Sequence, residues 1–178
     1  MKKTLLLFSM LFIYLGYGQI KWMTMTEATE AMKKKPKKIL IDFYADWCAP
    51  CKMMDKQTYA NSIISKFIND NFYPVKFNAE GNDKFFFNGR DFSNPNYKKT
   101  QGRGIQHEFA RFMNIYSYPS TVFMDESFMP ITNLMGFFTP REMEPYLSLI
   151  STEAYKTIKT RDQWDKFQSK FKSKIKEQ

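Results

Sequence analysis

The fold of this 178-residue chain is decided by one stretch, Ile39-Leu40-Ile41-Asp42-Phe43-Tyr44-Ala45-Asp46-Trp47-Cys48-Ala49-Pro50-Cys51-Lys52. Its first half is a run of apolar residues interrupted by a single carboxylate, which predicts a buried strand. The two cysteines that follow are the only ones in the sequence. Pro50 suits the first turn of a helix, where its missing N–H has no partner within the helix. The stretch therefore predicts a Cys-x-x-Cys pair where a strand turns into a helix.

A Cys-x-x-Cys pair in this position is typical of thiol–disulfide exchange. The partial positive charge of a helix N-terminus stabilises the thiolate of the first cysteine, Cys48. A zinc site is disfavoured, because structural zinc takes four ligands and His107 is the only histidine in the chain. A purely structural disulfide is disfavoured too, since so short a loop removes little chain entropy. We expect no metal and no cofactor beyond the redox-active Cys48–Cys51 disulfide.

Residues 1–18 have the features of a secretory signal peptide. Lys2 and Lys3 precede an apolar stretch of about eleven residues, which is shorter than the roughly 20 residues of a membrane span. An uncleaved anchor is the alternative. We expect cleavage after Gly18, giving a periplasmic or secreted protein with no stable membrane insertion. In an oxidising compartment, a protein whose only cysteines form an active pair is best interpreted as a redox catalyst.

The rest of the chain suffices for one domain over 19–150, followed by a basic, amphipathic helical extension over 151–178. Hydrophobic residues make up 43% of the chain, and the formal net charge is +9. The lysines of the extension alternate with apolar residues at helical spacing, which is seen at Trp164, Phe167, Phe171 and Ile175. We therefore expect no nucleic acid partner, and a basic surface that favours acidic partners.

Helices and strands alternate in the predicted order of elements. We expect a short strand over Ile20–Met23, a helix capped by Thr26, and a cysteine helix that continues to about Thr58. Asn61 should cap the next helix. Further strands are predicted over 72–78, 121–124 and 131–135, and further helices over 106–113 and from the capping box Thr139-Pro140-Arg141-Glu142 to about residue 150.

This order resembles the thioredoxin fold, an α/β fold with a central mixed sheet flanked by helices. The motifs that carry the resemblance are the cysteine stretch, Val75-Lys76-Phe77-Asn78, Tyr118-Pro119-Ser120-Thr121 and Gly136-Phe137. Within the family, the chain looks most similar to the C-terminal periplasmic domain of the thiol:disulfide interchange protein DsbD and to secreted thioredoxin-like proteins of Bacteroidetes-type bacteria. The resemblance covers about Ile20 to Ile150, apart from an insertion.

The resemblance implies roles for the residues of the cysteine stretch. Cys48, beside Trp47 and followed by Pro50, attacks the substrate disulfide. Cys51 resolves the mixed disulfide, and we expect it to be the more buried of the two.

The resemblance also assigns supporting residues. Asp42 is the implied base for the resolving thiol, because burial raises a carboxyl pKa; a purely structural pair with Lys76 is the alternative. Asp55 matches an acidic position whose charge would raise the thiol pKa, with a solvated helix face as the alternative. Pro119 is the implied cis-proline, and the backbone of Tyr118 binds the substrate chain. A tyrosine is larger than the aliphatic residue usual at that position.

An insertion over about 81–105 departs from the minimal family pattern. Asn88-Gly89 predicts a hairpin with a type I′ turn. The hairpin should stand near the cysteines, because parallel strands end at the same sheet edge. We favour local packing of its phenylalanines over the alternative of partner recognition. His107, just beyond the insertion, is expected on the surface at a helix start.

The implied activity is exchange with protein thiols and disulfides. We expect the direction of reduction, because no histidine stands between the cysteines to stabilise the reduced form. A membrane electron donor of the DsbD/CcdA type is then the implied partner. The alternatives are an oxidase or isomerase that uses the same exchange, and a thioredoxin-fold binding module that recognises a secreted partner.

Overall fold

The computed structural model describes residues 18–99 and 102–176, so the predicted signal peptide, apart from Gly18, lies outside them. The predicted α/β order is confirmed. Strands are β1 (Ile39–Tyr44), β2 (Tyr73–Asn78), β3 (Phe85–Phe87), β4 (Arg90–Phe92), β5 (Ser120–Met124) and β6 (Pro130–Met135). Helices are α1 (Met25–Lys34), α2 (Ala49–Met54), α3 (Ser62–Asn71), α4 (Glu108–Phe112), α5 (Pro140–Ser151) and α6 (Arg161–Lys170), with a π-helical turn at Asp55–Tyr59 and a 3₁₀ turn at Ala154–Lys156.

The central sheet is mixed, with the strand order β2-β1-β5-β6. Strands β1 and β2 run parallel, so that Tyr44 pairs with Asn78 at their carboxyl ends. Strand β5 is antiparallel to both β1 and β6. Because Phe43 pairs with Ser120, the start of β5 lies at the same sheet edge as the end of β1. This edge is where the cysteines follow.

Alternating residues of β1 face two separate cores. Ile39, Ile41 and Phe43 pack with α1, α4 and the hairpin on one face, whereas Leu40 packs with α3 and α5 on the other. At the centre of the first core, the ring centroid of Phe109 lies between 5.1 and 5.7 Å from five other rings, those of Phe43, Phe77, Phe85, Phe87 and Phe92.

The predicted hairpin forms from β3 and β4. Asn88 and Gly89 both have positive φ, at 48° and 81°, as a type I′ turn requires. The phenylalanines of the hairpin are buried in the first core, except for Phe86, which is 61% exposed. The prediction of local packing is therefore confirmed.

Two predictions at the amino-terminal end were wrong. The cap of α1 is Thr24 and not Thr26, because only Thr24 stands three residues before Glu27 and can exchange hydrogen bonds with it in a capping box. No strand forms over Ile20–Met23; only Met23 pairs, in an isolated bridge with Val75. The caps predicted at Asn61 and Thr139 are both confirmed.

The C-terminal segment folds back along α5. Helix α6 ends at Lys170, earlier than the spacing through Ile175 predicted. Beyond it, the buried carboxylate of Glu144 accepts hydrogen bonds from the Ser173 hydroxyl and from the N–H of Lys174, the latter at 3.0 Å. Ile175 still packs against the second core, although outside a helix. None of the helices in the described ranges has both the length and the apolarity to cross a membrane.

Candidate active site

The two cysteines lie at the start of α2, directly after the carboxyl end of β1. Cys48 is the N-cap residue of α2, and its Sγ accepts a hydrogen bond from the Cys51 N–H at 3.2 Å. Pro50 occupies the first turn, as predicted. Cys48 and Cys51 form a disulfide with a Cα–Cα distance of 5.3 Å. The helix N-terminus therefore directs positive partial charge at the first sulfur.

Both sulfurs are covered in this disulfide form. Cys48 is 1% exposed and Cys51 2%, so the expectation that Cys51 is the more buried of the two was wrong. Tyr44, Trp47 and Tyr118 pack against the cluster that the two cysteines form with Ala45. The rings of Trp47 and Tyr118 meet edge to face, with centroids 6.0 Å apart.

The loop that carries Tyr118 has the predicted backbone. The Tyr118–Pro119 peptide bond is cis. The carbonyl of Pro119 accepts a hydrogen bond from the Gly136 N–H at 2.8 Å, so the loop is tied to the end of β6. The motifs Tyr118-Pro119-Ser120-Thr121 and Gly136-Phe137 therefore meet beside the disulfide.

Glu80 joins the active site to the insertion. Its carboxylate accepts hydrogen bonds from the indole N–H of Trp47 at 2.7 Å and from the backbone N–H of Gly104 at 2.6 Å. The guanidinium of Arg103 lies 5.0 Å from the centroid of the Trp47 ring. Burial, with the Glu80 charge as a smaller cause, raises the pKa of Tyr118 to about 12. The phenol of Tyr118, which packs against the cysteine cluster, therefore remains neutral at physiological pH.

The segment 102–104 of the insertion, rather than the hairpin, makes these contacts with Trp47 and Glu80. Sequence reasoning missed Glu80, because its partners Trp47 and Gly104 are 33 and 24 residues away. The available signal was its place two residues after β2, at the edge of the sheet where the cysteines follow β1.

A second cluster joins β1, β2 and the π-helical turn that follows the cysteine helix. Asp42 is 1% exposed on β1, and its carboxylate accepts a hydrogen bond from Nζ of Lys76, its register partner on β2, at 2.6 Å. Lys76 also pairs with Asp55 of the π-helical turn. The hydroxyl of Tyr59 lies 3.3 Å from the Asp42 carboxylate and 3.1 Å from the Thr121 hydroxyl. The structure thus unites the predicted residues Asp42, Lys76 and Asp55, and adds Tyr59.

The electrostatics of this cluster raise the pKa of Asp42. Burial raises the pKa of Asp42, and the opposing charge of Lys76 does not cancel the effect. Burial alone would lower the pKa of Lys76, but the carboxylates of Asp42 and Asp55 outweigh it and raise that pKa. Burial also raises the pKa of Tyr59 well above its ordinary value, so its hydroxyl stays protonated. The arrangement can hold one titratable proton on a buried carboxyl group.

The catalytic role of Asp42 and the effect of Asp55 on the thiols remain predictions. Asp55 contacts Lys76, and its side chain is 43% exposed.

His107 starts α4 as predicted, but its expected place on the surface was wrong. It is fully buried, because the insertion folds over it and Phe85 stacks on its ring at 5.9 Å. Nδ1 accepts a hydrogen bond from the Phe109 N–H at 3.0 Å, and Nε2 lies 2.8 Å from the carbonyl of Asp83. Burial lowers the pKa of His107, so the neutral ring caps the helix. Over 18–99 and 102–176, no three His, Cys, Asp or Glu side chains are grouped to hold a metal ion.

Comparisons with known proteins agree with this geometry. Residues 25–151 match the family of thioredoxin-like domains. The chain is 29% identical to the thioredoxin-like protein YneN of Bacillus subtilis (strain 168) over 129 residues, which are 69% of this chain and 71% of that protein. It is 36% identical over 58 residues to the thiol:disulfide interchange protein DsbD of Escherichia coli (strain K12), a match that spans 32% of this chain and 10% of the relative. A solved thioredoxin-fold protein from Helicobacter pylori superimposes with a TM-score of 0.59 and 20% identity, over 75% of this chain and 81% of that one.

Proposed function

The chain belongs to the thioredoxin-like family, and we propose that it is a protein-disulfide reductase that acts in the periplasm or outside the cell. Its Cys-x-x-Cys pair on a thioredoxin fold makes it a thiol–disulfide oxidoreductase. The observation that carries the proposal is the position of Cys48 at the N-cap of α2, with Cys51 bonded to it. The sulfur that attacks and the sulfur that resolves are thus already in contact.

In the first step, the thiolate of Cys48 attacks one sulfur of a substrate disulfide. The substrate S–S bond breaks, the second substrate sulfur leaves as a thiolate, and Cys48 becomes part of a mixed disulfide. The α2 N-terminus and the N–H of Cys51 lower the cost of negative charge on the attacking sulfur.

In the second step, Cys51 gives its proton to Asp42 through a water molecule and attacks the sulfur of Cys48. The mixed disulfide breaks, and the second substrate thiolate leaves and takes up a proton. Once the first substrate thiolate has also taken up a proton, from water, the substrate has gained two electrons and two protons, and the Cys48–Cys51 disulfide has formed. Asp42 suits this role because burial raises its pKa and so makes it a stronger base than an exposed aspartate.

A substrate chain would pair with the backbone of Tyr118, before cis-Pro119, as an added strand. Since Cys48 is 1% exposed in the disulfide form, a partner that reduces the disulfide needs a movement of the side chains around the cysteine cluster to reach its sulfur. Removal of residues 1–18 as a signal peptide would leave a thioredoxin-like domain over 19–150, with an insertion over about 81–105. The helical extension 151–178 follows this domain.

Reduction, rather than oxidation, is favoured by the dipeptide Ala49-Pro50. A histidine there would stabilise the thiolate and make the pair a stronger oxidant. A reductase in an oxidising compartment needs electrons from the cytoplasm. We propose a membrane carrier of the DsbD/CcdA type as the donor, a proposal supported by the segment of sequence similar to DsbD.

The reduction potential of the Cys48–Cys51 pair tests the direction of the reaction, by equilibration of the protein with dithiol buffers. A value near about −270 mV, as in thioredoxin, is expected for a reductase. A value near about −120 mV, as in DsbA, would overturn the proposed direction. Cys48→Ser is the companion variant: loss of insulin reduction with retained biological function would identify the chain as a binding module instead.

A further inference from the structure

Tyr59 is brought to β1 by the π-helical turn at Asp55–Tyr59, which continues directly from the cysteine helix α2. The N–H of Ala60 donates a hydrogen bond to the carbonyl of Asp55 at 3.1 Å, five residues earlier, as the π spacing requires. A single π-helical turn within a helix is often found at a functional site. Tyr59 is buried, and neither of the two proposed exchange steps uses it.

The Tyr59 hydroxyl lies between oxygen atoms of two neighbouring strands. It is 3.3 Å from Oδ1 of Asp42 and 3.1 Å from Oγ1 of Thr121, the register partner of Asp42 on β5. Lys76 donates to the other oxygen of Asp42, Oδ2, at 2.6 Å. Each oxygen of the buried carboxyl group therefore has its own partner, one charged and one neutral.

The two hydroxyl groups can serve either protonation state of Asp42. A hydroxyl both donates and accepts hydrogen bonds, whereas the ammonium of Lys76 only donates. When Asp42 is ionised, Tyr59 donates to Oδ1 and Thr121 can donate to Tyr59. When Oδ1 carries a proton, Asp42 can donate to Tyr59, which then donates to Thr121. The carboxyl group thus keeps a hydrogen-bond partner in both states, which avoids the cost of an unsatisfied buried polar atom.

The titratable and charged groups around the Asp42 carboxyl group come from three elements. They are Tyr44 of β1, Lys76 of β2, and Asp55 and Tyr59 of the π-helical turn. Strand β5 contributes the hydroxyl of Thr121, and the N-terminal segment contributes the ring of Trp22, 5.0 Å from that of Tyr59. The tyrosines and the lysine keep their protons at neutral pH, because the pKa of each is raised. Asp42 is therefore the fully buried group of this cluster whose protonation can change.

We propose that Tyr59 is a positioning residue for the resolving step: its hydroxyl holds the Asp42 carboxyl group in place and favours the ionised form, which accepts the proton of Cys51. The inference rests on the proposed function for the role of Asp42 as a base, and on the hydrogen bonds for the contact itself. A hydroxyl donates a stronger hydrogen bond to a carboxylate than to a neutral carboxyl group. Tyr59 therefore opposes the rise in pKa that burial causes at Asp42.

The first measurement is the pH titration of Asp42 in the oxidised protein, which carries out no exchange. It follows the NMR signal of the side-chain carboxyl carbon, which is identified by its absence from Asp42→Asn. Tyr59→Phe keeps the ring and removes the hydroxyl, so the midpoint of the titration should move to higher pH. Replacement of Tyr59 by a fluorotyrosine, whose hydroxyl is a stronger donor, should move the midpoint to lower pH.

Tyr44→Phe is the matched control for the titration. The Tyr44 ring also faces Lys76, with Nζ 5.0 Å from its centroid, but the hydrogen bonds found in the described part of the chain do not join its hydroxyl to Asp42. The midpoint of Asp42 should therefore stay unchanged in this variant. Cooperative thermal unfolding of each variant shows that it folds.

The second measurement follows the resolving step itself. Reduced protein receives one equivalent of dithionitrobenzoate, which forms a mixed disulfide at Cys48 and releases a first nitrothiobenzoate. Cys51 then attacks the sulfur of Cys48, its proton passes through water to Asp42, and the second nitrothiobenzoate leaves as a coloured thiolate. At pH values below the Asp42 midpoint, Tyr59→Phe should slow this second release by about two- to tenfold. Above the midpoint, the variant should not be slower.

Three results would overturn the inference. A midpoint that does not move in Tyr59→Phe, or that moves equally in Tyr44→Phe, would show that the hydroxyl does not act on the carboxyl group. A moved midpoint with an unchanged pH profile of the second release would show that Tyr59 takes no part in the resolving step. Resolution by Asp42→Asn at the natural rate would remove the base from the proposed function, whatever the titration shows. A reduction potential like that of DsbA would reverse only the proposed direction and leave the titration results in place.

Discussion

Replacing Asp42 with asparagine should change how the stability of the oxidised protein depends on pH. Burial raises the pKa of Asp42 above its ordinary value of 3.8. Between the unfolded and the native pKa, the native state therefore holds one more proton than the unfolded state. In that range the free energy of unfolding falls by about 1.4 kcal/mol for each pH unit, because one proton is lost on unfolding.

The sign follows from the direction of the shift. The stability that Asp42 contributes as a neutral carboxyl is fully present below pH 3.8 and is lost as the pH rises through the native pKa. The Asp42→Asn variant has no such proton. Its free energy of unfolding, compared with that of the natural sequence, should therefore rise by about 1.4 kcal/mol per pH unit between the unfolded and native pKa values of Asp42. The loss of one partner of Lys76 adds an offset that does not change with pH, since Lys76 stays charged throughout.

Urea unfolding of the two proteins at half-unit steps from pH 3 to pH 9 measures this difference. Asp55→Asn is the matched control, because it removes the other carboxylate from Lys76 and keeps Asp42. The Asp55→Asn protein should still lose stability as the pH rises, because it keeps Asp42. If the curves for Asp42→Asn and the natural sequence run parallel, Asp42 has the same pKa in the native and unfolded states, which would contradict the raised pKa on which its role as a base depends.

Three further predictions concern the exchange step and the fold. Cys51→Ser should accumulate a mixed disulfide between Cys48 and substrate, seen by non-reducing electrophoresis; rapid release of product would contradict the assigned roles. Thr139→Ala removes the cap of α5 and should lower the unfolding free energy by about 1 kcal/mol in urea titrations, whereas no change would show that the cap is dispensable. Phe109→Ala should cost about 3–5 kcal/mol because its ring is fully buried, with Phe86→Ala as the exposed control; equal costs at the two sites would contradict the packing described.

The features that the sequence predicted best are those that depend on interactions between residues close in the sequence. The strand over 39–44, the cysteines at a helix start, the Asn88-Gly89 turn and the Thr139 capping box all depend on contacts within a few positions. The cap of α1 also depends on neighbouring residues, because Thr24 stands three residues before Glu27. Local chemistry decides such features, and it can be read without knowledge of the fold.

The features that were missed depend on distant contacts. The burial of His107 depends on stacking by Phe85, 22 residues earlier, and no periodicity in the sequence indicates it. Tyr59 reaches Asp42 from a π-helical turn, whose wider spacing no pattern of apolar residues predicted. The packing of Tyr118 against the cluster of Ala45, Cys48 and Cys51 likewise joins residues that are distant in the sequence.

The carboxylate shared by Trp47 and Gly104 means that the insertion is not a detachable module. Trimming the chain to a minimal thioredoxin would leave Glu80 with one of these two donors and would strip Arg103 from the indole face. Grafting the loop onto another thioredoxin would fail in the same way unless an acid two residues past the second strand were transferred with it. For protein engineering, Trp47, Glu80 and the segment 102–104 form one structural unit, so they should be replaced together or kept together.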